Sequence, residues 1–460
     1  MVRNPHDVAR RARRAVGAAM FACALGGALF AAALSPAAAR SVQMAAVTPP
    51  AAGVAGDDAQ ACKRATGDTA IAACTRAIAS GRDTGPGLAR LHYDRGNEYA
   101  KKGDNDRAIA DFTTAIGLDP TKADAISNRG AARFAKGDYD GAFADFNEAI
   151  RLDPTDPDYY NNRGGALQLK GDYDRAIADY DEAIRLNPKD PCPLYNRGIA
   201  WHAKHETDRA IADFDAAIRL NPKYAAAFYR RGLALIDKKE YDRAIADFDE
   251  AIRVNPKFDD AFFARGATYS VNGDNDRALA DFDAAIRLDP SDARYYRKRG
   301  KTYSAKGNRQ LAILDYSEAI RLDPSDDETF FDRAIAYGVT GDYDRAMADF
   351  DAAIRLNPNT AATWNNRANV WRRRGDTDRA IADYSEAIRL NPTQPMYYDN
   401  RGIAWHARGD NDRAIADFDE AIRLNPANAA YYNNRRDAWL AKGNLARALA
   451  DANEANRLTH

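Results

Sequence analysis

The chain has 460 residues, 45% of them hydrophobic and 29% charged, with 66 Lys+Arg against 67 Asp+Glu. A net charge of −1 lacks the basic footprint of a nucleic-acid binder, and a mean hydropathy of −0.59 excludes a polytopic membrane protein. Four cysteines in this length make neither a disulfide scaffold nor a zinc-finger array.

Residues 1–39 read as an address. Arg3, Arg10, Arg11, Arg13 and Arg14 precede an uncharged run from Ala15 to Leu34, and Ala37-x-Ala39 closes it with small residues. This order predicts a secretory signal peptide. An uncleaved inner-membrane anchor is the alternative, because twenty apolar residues are just enough to span a bilayer. The run holds nine Ala and three Gly, which is weakly hydrophobic for a permanent span. Either way the arginines stay in the cytoplasm and the body is exported. Removing residues 1–39 takes five arginines and one aspartate, leaving a net charge of −5.

Residues 40–56 form an Ala/Pro-rich linker. Residues 57–88 look like a shortened helical hairpin that caps the rest of the chain, with Gly67-Asp68 as its turn. Cys62 and Cys74 lie on its two arms. In an oxidising compartment a disulfide would staple this cap; the alternative is two small packing residues.

From Ala89 to His460 one repeat explains the chain. Prolines stand at 120, 154, 188, 222, 256, 290, 324, 358, 392 and 426, each 34 residues after the last, with no insertion or deletion. In residues 123–154, Ala123–Ala135 reads as a helix, Gly137-Asp138-Tyr139 as a turn and Asp140–Leu152 as a second helix. Asp153-Pro154 then breaks the chain. Small residues mark close approaches: Gly130 is placed facing Ala142, and Ala149 against the next unit. The Ala142 and Ala149 slots are Ala in every unit, and the Phe146 slot is Phe or Tyr in ten of eleven. In the last unit Ala452, Asn456 and Arg436 depart from the pattern, as expected of a helix with no following neighbour.

The period, the small slots, the aromatic slot and the helix-breaking proline together resemble the tetratricopeptide repeat family over residues 89–460. The resemblance implies an all-α, right-handed superhelical solenoid of eleven 34-residue helix–turn–helix units, behind the short N-terminal cap. It also implies a concave groove lined by each first helix.

Two slots depart from the family pattern. The one usually filled by Leu is Arg in all units, including Arg129, Arg163 and Arg197. The second helices carry an equally uniform Asp, including Asp145, Asp179 and Asp213. Such uniformity suggests a structural ladder of Arg forks bridging carboxylates within or between units; an arginine-lined anion site is the functional alternative. The Asp-x-Asp starts of the second helices are read as capping rather than as calcium loops.

The units vary along the groove. The Asn128 slot is Asn in six units: Asn128, Asn162, Asn196, Asn366, Asn400 and Asn434. An amide both donates and accepts, so spaced Asn side chains can hold an extended peptide without reading its sequence. The pattern is similar to the asparagine ladder in the tetratricopeptide superhelix of O-GlcNAc transferase. A merely polar, solvated groove is the competing account. Between the Asn runs the slot becomes Arg230, Ala264, Lys298 and Asp332, and Arg294, Arg297 and Lys301 add charge. This basic patch is a candidate receptor for an acidic group. The family's carboxylate clamp is incomplete: Asn369 and Asn400 match two amides, but Asn365, Ala430 and Asn434 stand in its basic slots.

No phosphate loop, nucleophile elbow or metal-ligand cluster is found, so neither an enzyme nor a cofactor is expected. The expected function is binding a protein or extended peptide in the groove, with no nucleic acid or small-molecule substrate. A self-associating scaffold using the convex surface is the alternative. The leader and the resemblance suggest an adaptor in the periplasm of a Gram-negative bacterium, with membrane contact only if the N-terminal segment is uncleaved.

Overall fold

The computed structural model describes residues 57–459; the signal or anchor segment 1–39 and the linker 40–56 lie outside the described residues. Within them are 24 helices and no strand. No helix among them is long and apolar enough to cross a membrane.

The cap consists of α1 (Asp57–Arg64) and α2 (Gly67–Ala79). Its turn falls at Ala65-Thr66, two residues before the expected Gly67-Asp68, because Gly67 already opens the second helix. Cys62 and Cys74 are joined, with Cα atoms 4.6 Å apart, and both are buried beside Ala73, Ala77 and Leu91. The first array helix, α3 (Pro86–Lys101), starts at Pro86 rather than at Ala89. Proline at a helix start leaves no intrahelical bond unmade and already has the helical φ. Gly67 N–H donates to Glu98 Oε2 at 2.7 Å, tying the cap to this helix.

Contact density divides the chain into Met1–Val254 and Asn255–His460. The described part of the first unit holds the cap and five helix pairs, ending with Ala225–Asp237 and Tyr241–Val254. The second holds six pairs, from Asp259–Val271 and Asn275–Leu288 to Ala429–Ala441 and Leu445–Thr459. Within each unit the pairs stack in chain order.

One pair shows why. In Ala123–Lys136 and Tyr139–Leu152, Asp138 accepts from Gly141 N–H at 3.0 Å and caps the second helix. The Phe146 ring is fully buried under Gly130, where an added Cβ would sit 2.9 Å from Cε1 of the ring. Gly130 therefore faces Phe146 more closely than it faces Ala142, and the empty Cβ position makes room for the aromatic. The aromatic slot from Phe112 to Phe418 is at most 2% exposed throughout. In the final pair Ala452 removes the ring, and Arg436 occupies the glycine slot while bonding Asn433 and Asp437. Leu445 and Leu449 on the last helix remain 71% and 64% exposed, so the departures at Ala452, Asn456 and Arg436 leave apolar surface on this pair.

The turn between paired helices needs a left-handed residue. Gly137 supplies it at φ 88°, and glycine stands in the same slot in most pairs. His205 and Lys239 hold that conformation instead, at φ 62° and 61°. A side chain there costs on the order of 1 kcal/mol. Replacing His205 and Lys239 by Gly is expected to raise stability by about 1 kcal/mol each, read as a higher chemical-denaturation midpoint with unchanged slope.

Candidate interaction face of the first helices

The uniform Arg and Asp are paired inside every helix pair. Each Arg on a first helix grips the Asp sixteen residues on with both prongs, Nε–Oδ2 at 2.8–3.0 Å and Nη2–Oδ1 at 2.5–2.8 Å. The carboxylates are only 4–7% exposed. In most pairs the remaining prong reaches back to the preceding second helix. Arg197 Nη1 meets Asp181 at 2.5 Å, Arg299 meets Asp283 at 2.6 Å, and Arg333 meets the Ser317 hydroxyl at 2.9 Å. Arg129–Asp145, Arg163–Asp179 and Arg197–Asp213 are thus internal fasteners, with no guanidinium prong turned toward a ligand. The carboxylates beside Arg197 hold its proton even more firmly than usual.

The asparagines are also committed. Nδ2 of Asn128 donates to Asn97 Oδ1 at 2.9 Å, Asn196 to Asn161 at 2.9 Å, Asn400 to Asn365 at 2.9 Å and Asn434 to Asp399 at 2.8 Å. Asn162 reaches Ser127 Oγ at 3.4 Å, and Asn366 turns back to its own helix at Ala362 O. Asn162 and Asn196 are buried. The Asn column is therefore not a row of free amides; most of its members stitch one first helix to the preceding one. Asn369, matched to the carboxylate clamp, accepts from the Tyr384 hydroxyl at 2.7 Å.

The basic patch is largely neutralised where it stands. Arg294 is bonded to Asp292 and Asp260, and Arg297 meets Asp326, Glu328 and Asp332. Lys301 lies 3.1 Å from Asp332, while Lys298 is exposed on the same helix. The Arg230 guanidinium lies 6.0 Å from the Tyr229 ring centroid. Most of these acids come from helix starts and from the following pair, outside the single slot in which the bases stand out along the sequence.

One carboxylate on this face titrates unusually. Burial, reinforced by Asp156, Asp190 and Asp124, pushes Asp158 up to about 6 from an ordinary 3.8. Among the described residues no group of His, Cys, Asp or Glu is arranged to hold a metal ion.

Stacked helix pairs fastened by repeated polar links define a solenoid-type interaction scaffold. Models of the tetratricopeptide repeat match residues 93–157, 263–327 and 331–395, residues 157–190 and 225–258, and residues 395–428. The chain belongs to the tetratricopeptide repeat family, whose members are generally non-enzymatic protein-interaction modules. Solved structures similar to it include YrrB, described as a TPR protein with an unusual peptide-binding site, at 28% identity over 39% of this chain and 92% of that one, TM-score 0.34. A tetratricopeptide repeat protein from Parabacteroides merdae matches at 21% identity over 54% and 98%, TM-score 0.43. The APC/C hetero-tetramer Cut9-Hcn1 matches at 15% identity over 80% and 82%, TM-score 0.43.

Arg197→Ala leaves Asp213 buried without its partner and is expected to cost about 3 kcal/mol, with faster amide exchange centred on residues 191–220. Asp158 has a folded pKa above its unfolded one, so the fold favours its neutral form. Its contribution is therefore lost as pH rises from about 4 to about 6. Asp158→Asn should raise the Tm at pH 7, and the difference from the parent should vanish near pH 4.

Proposed function

We propose that the chain is an exported adaptor that binds a protein or extended peptide on the face formed by its first helices. One observation carries this reading. The second helices are nearly invariant from pair to pair, and their uniform Asp is spent on internal pairs. Differences between pairs lie instead on the first helices, in buried slots such as that of Tyr159 and Thr329 and in exposed slots such as that of Ala135, Val271 and Arg373. Slots free to vary without breaking the stack are where recognition can be written. The ligand contacts are assigned to those exposed slots, with the Asn column holding the helices in register beneath them.

Export is supported by the basic, Ala-rich leader and by the Cys62–Cys74 pairing in the cap, since such bonds persist in oxidising compartments. The competing reading places contacts on the second helices, through self-association or a folded partner.

A photo-crosslinking amino acid at Ala135 or Ala407, exposed on first helices, should capture a partner in living cells. The same probe at Arg185 or Arg389, exposed on second helices, should not. The adduct should fractionate with the cell envelope. Capture from the second-helix positions alone, or adducts confined to the cytoplasm, would sink the proposal.

A further inference from the structure

Three successive first helices of the second unit carry apolar side chains that nothing covers. The slot held by Ala135 in the second pair is Val271 in Asp259–Val271, Ala305 in Ala293–Ala305 and Val339 in Asp327–Thr340. Val271 and Val339 are 65% and 57% exposed, and Ile335, one turn before Val339, is 37% exposed. Gly338, beside Val339, lies next to Val370 of the following first helix, and a Cβ there would sit 3.8 Å from Val370 Cγ2, an ordinary contact.

The column changes character at the next helix, Ala361–Arg373. Arg373 occupies the Val339 slot, is exposed, and makes no ion pair among the described residues. Arg372 occupies the slot of Gly338. Its guanidinium interacts with the Tyr384 hydroxyl. Burial pushes the Asp399 carboxyl up, and the charge of Arg372 pulls against that rise. Arg372 Nε is buried without a hydrogen-bond partner, the one side-chain atom in that state among the described residues. That atom has no open surface, so Arg372 belongs to the packing against Tyr384 and Asp399, whereas Arg373 stands open to an acceptor. An anionic acceptor makes the stronger bond.

We propose that this column receives a partner segment presenting apolar side chains followed by an acidic one. The apolar residues cover Val271, Ile335 and Val339, and the carboxylate meets Arg373. Covering the apolar side chains removes them from water. Arg373 at one end sets the direction in which the segment lies, because reversing it would put the carboxylate against valine. The inference rests on the reading of the first-helix face as the ligand face.

The test uses random twelve-residue peptides displayed on phage and selected against the full-length chain, with binding of the free peptides followed by fluorescence anisotropy. Enriched sequences should place two or more apolar residues before an Asp or Glu. Their affinity should fall about tenfold, worth about 1.4 kcal/mol, in Val271→Ser/Val339→Ser and again in Arg373→Glu. These exposed positions can change without unfolding the stack. Arg373→Glu should also bind peptides in which the acid is replaced by Lys better than the parent does. Selected peptides that bind both variants as tightly as the parent, while crosslinking to other first helices, overturn this inference and leave the first-helix reading standing. Peptides that crosslink only to second helices, or a selection that yields no binder, overturn both.

Discussion

The bidentate Arg–Asp fork is the contact on which the rest of the chain depends. It joins the first helix of a pair to the second and, through its third prong, can join both to the second helix before. A bond to three helices fixes their relative rotation in a way that packed alanines alone do not. Small side chains such as Ala142 and Ala149 tolerate sliding of one helix on another, whereas a planar fork with fixed prongs does not. Replacing such pairs with apolar residues is often neutral or stabilising, so the fork is not explained by raw stability. Its consequence is geometric, and it obliges each second helix to keep Asp at one slot and each first helix to keep Arg.

The other links between pairs depend on that rotation. With the pairs in register, Lys136 reaches Asp106, Lys238 reaches Asp208 and Lys306 reaches Asp276 at the turn side. On the first helices the Asn amides reach the preceding helix. Surface ion pairs of this kind contribute little individually, but they consume charge locally. Much of the charge cancellation in the stack is therefore built pair by pair, and its lysines and arginines are mostly answered by a neighbour of the opposite sign.

Much of the fold was legible because a 34-residue period fixes helix, turn and break together. Proline and glycine set the ends, and uniform Ala and aromatic slots marked the buried faces. The ladder was legible for the same reason, since Arg129 and Asp145 recur without exception. The fate of the asparagines was not. Asn196 bonds Asn161, one residue off the period, so comparing equal slots reveals neither the partner nor the burial. The basic patch was obscured similarly: Asp292 caps a helix and Glu328 belongs to the following pair, so most of the neutralising acids lie outside the column that showed the bases, and only Asp332 lies within it. The cap turn moved because Gly67 serves as a helix start, a role that a glycine read as turn punctuation conceals.

A stack whose charges are answered locally has little long-range field with which to steer a partner. Recognition on such a surface must come from short-range contact, from apolar side chains left uncovered and polar atoms left unanswered. The forks occupy the uniform Arg and Asp slots, which cannot change without loosening the stack, and the Asn links occupy a further slot in six pairs. The exposed slots of the first helices carry no such obligation. Val271 and Val339 can differ from Ala135 because no neighbouring pair needs them, and Arg373 can differ from both. The repeated polar scaffold therefore confines specificity to a few positions, and those positions are found where the repeat stops repeating.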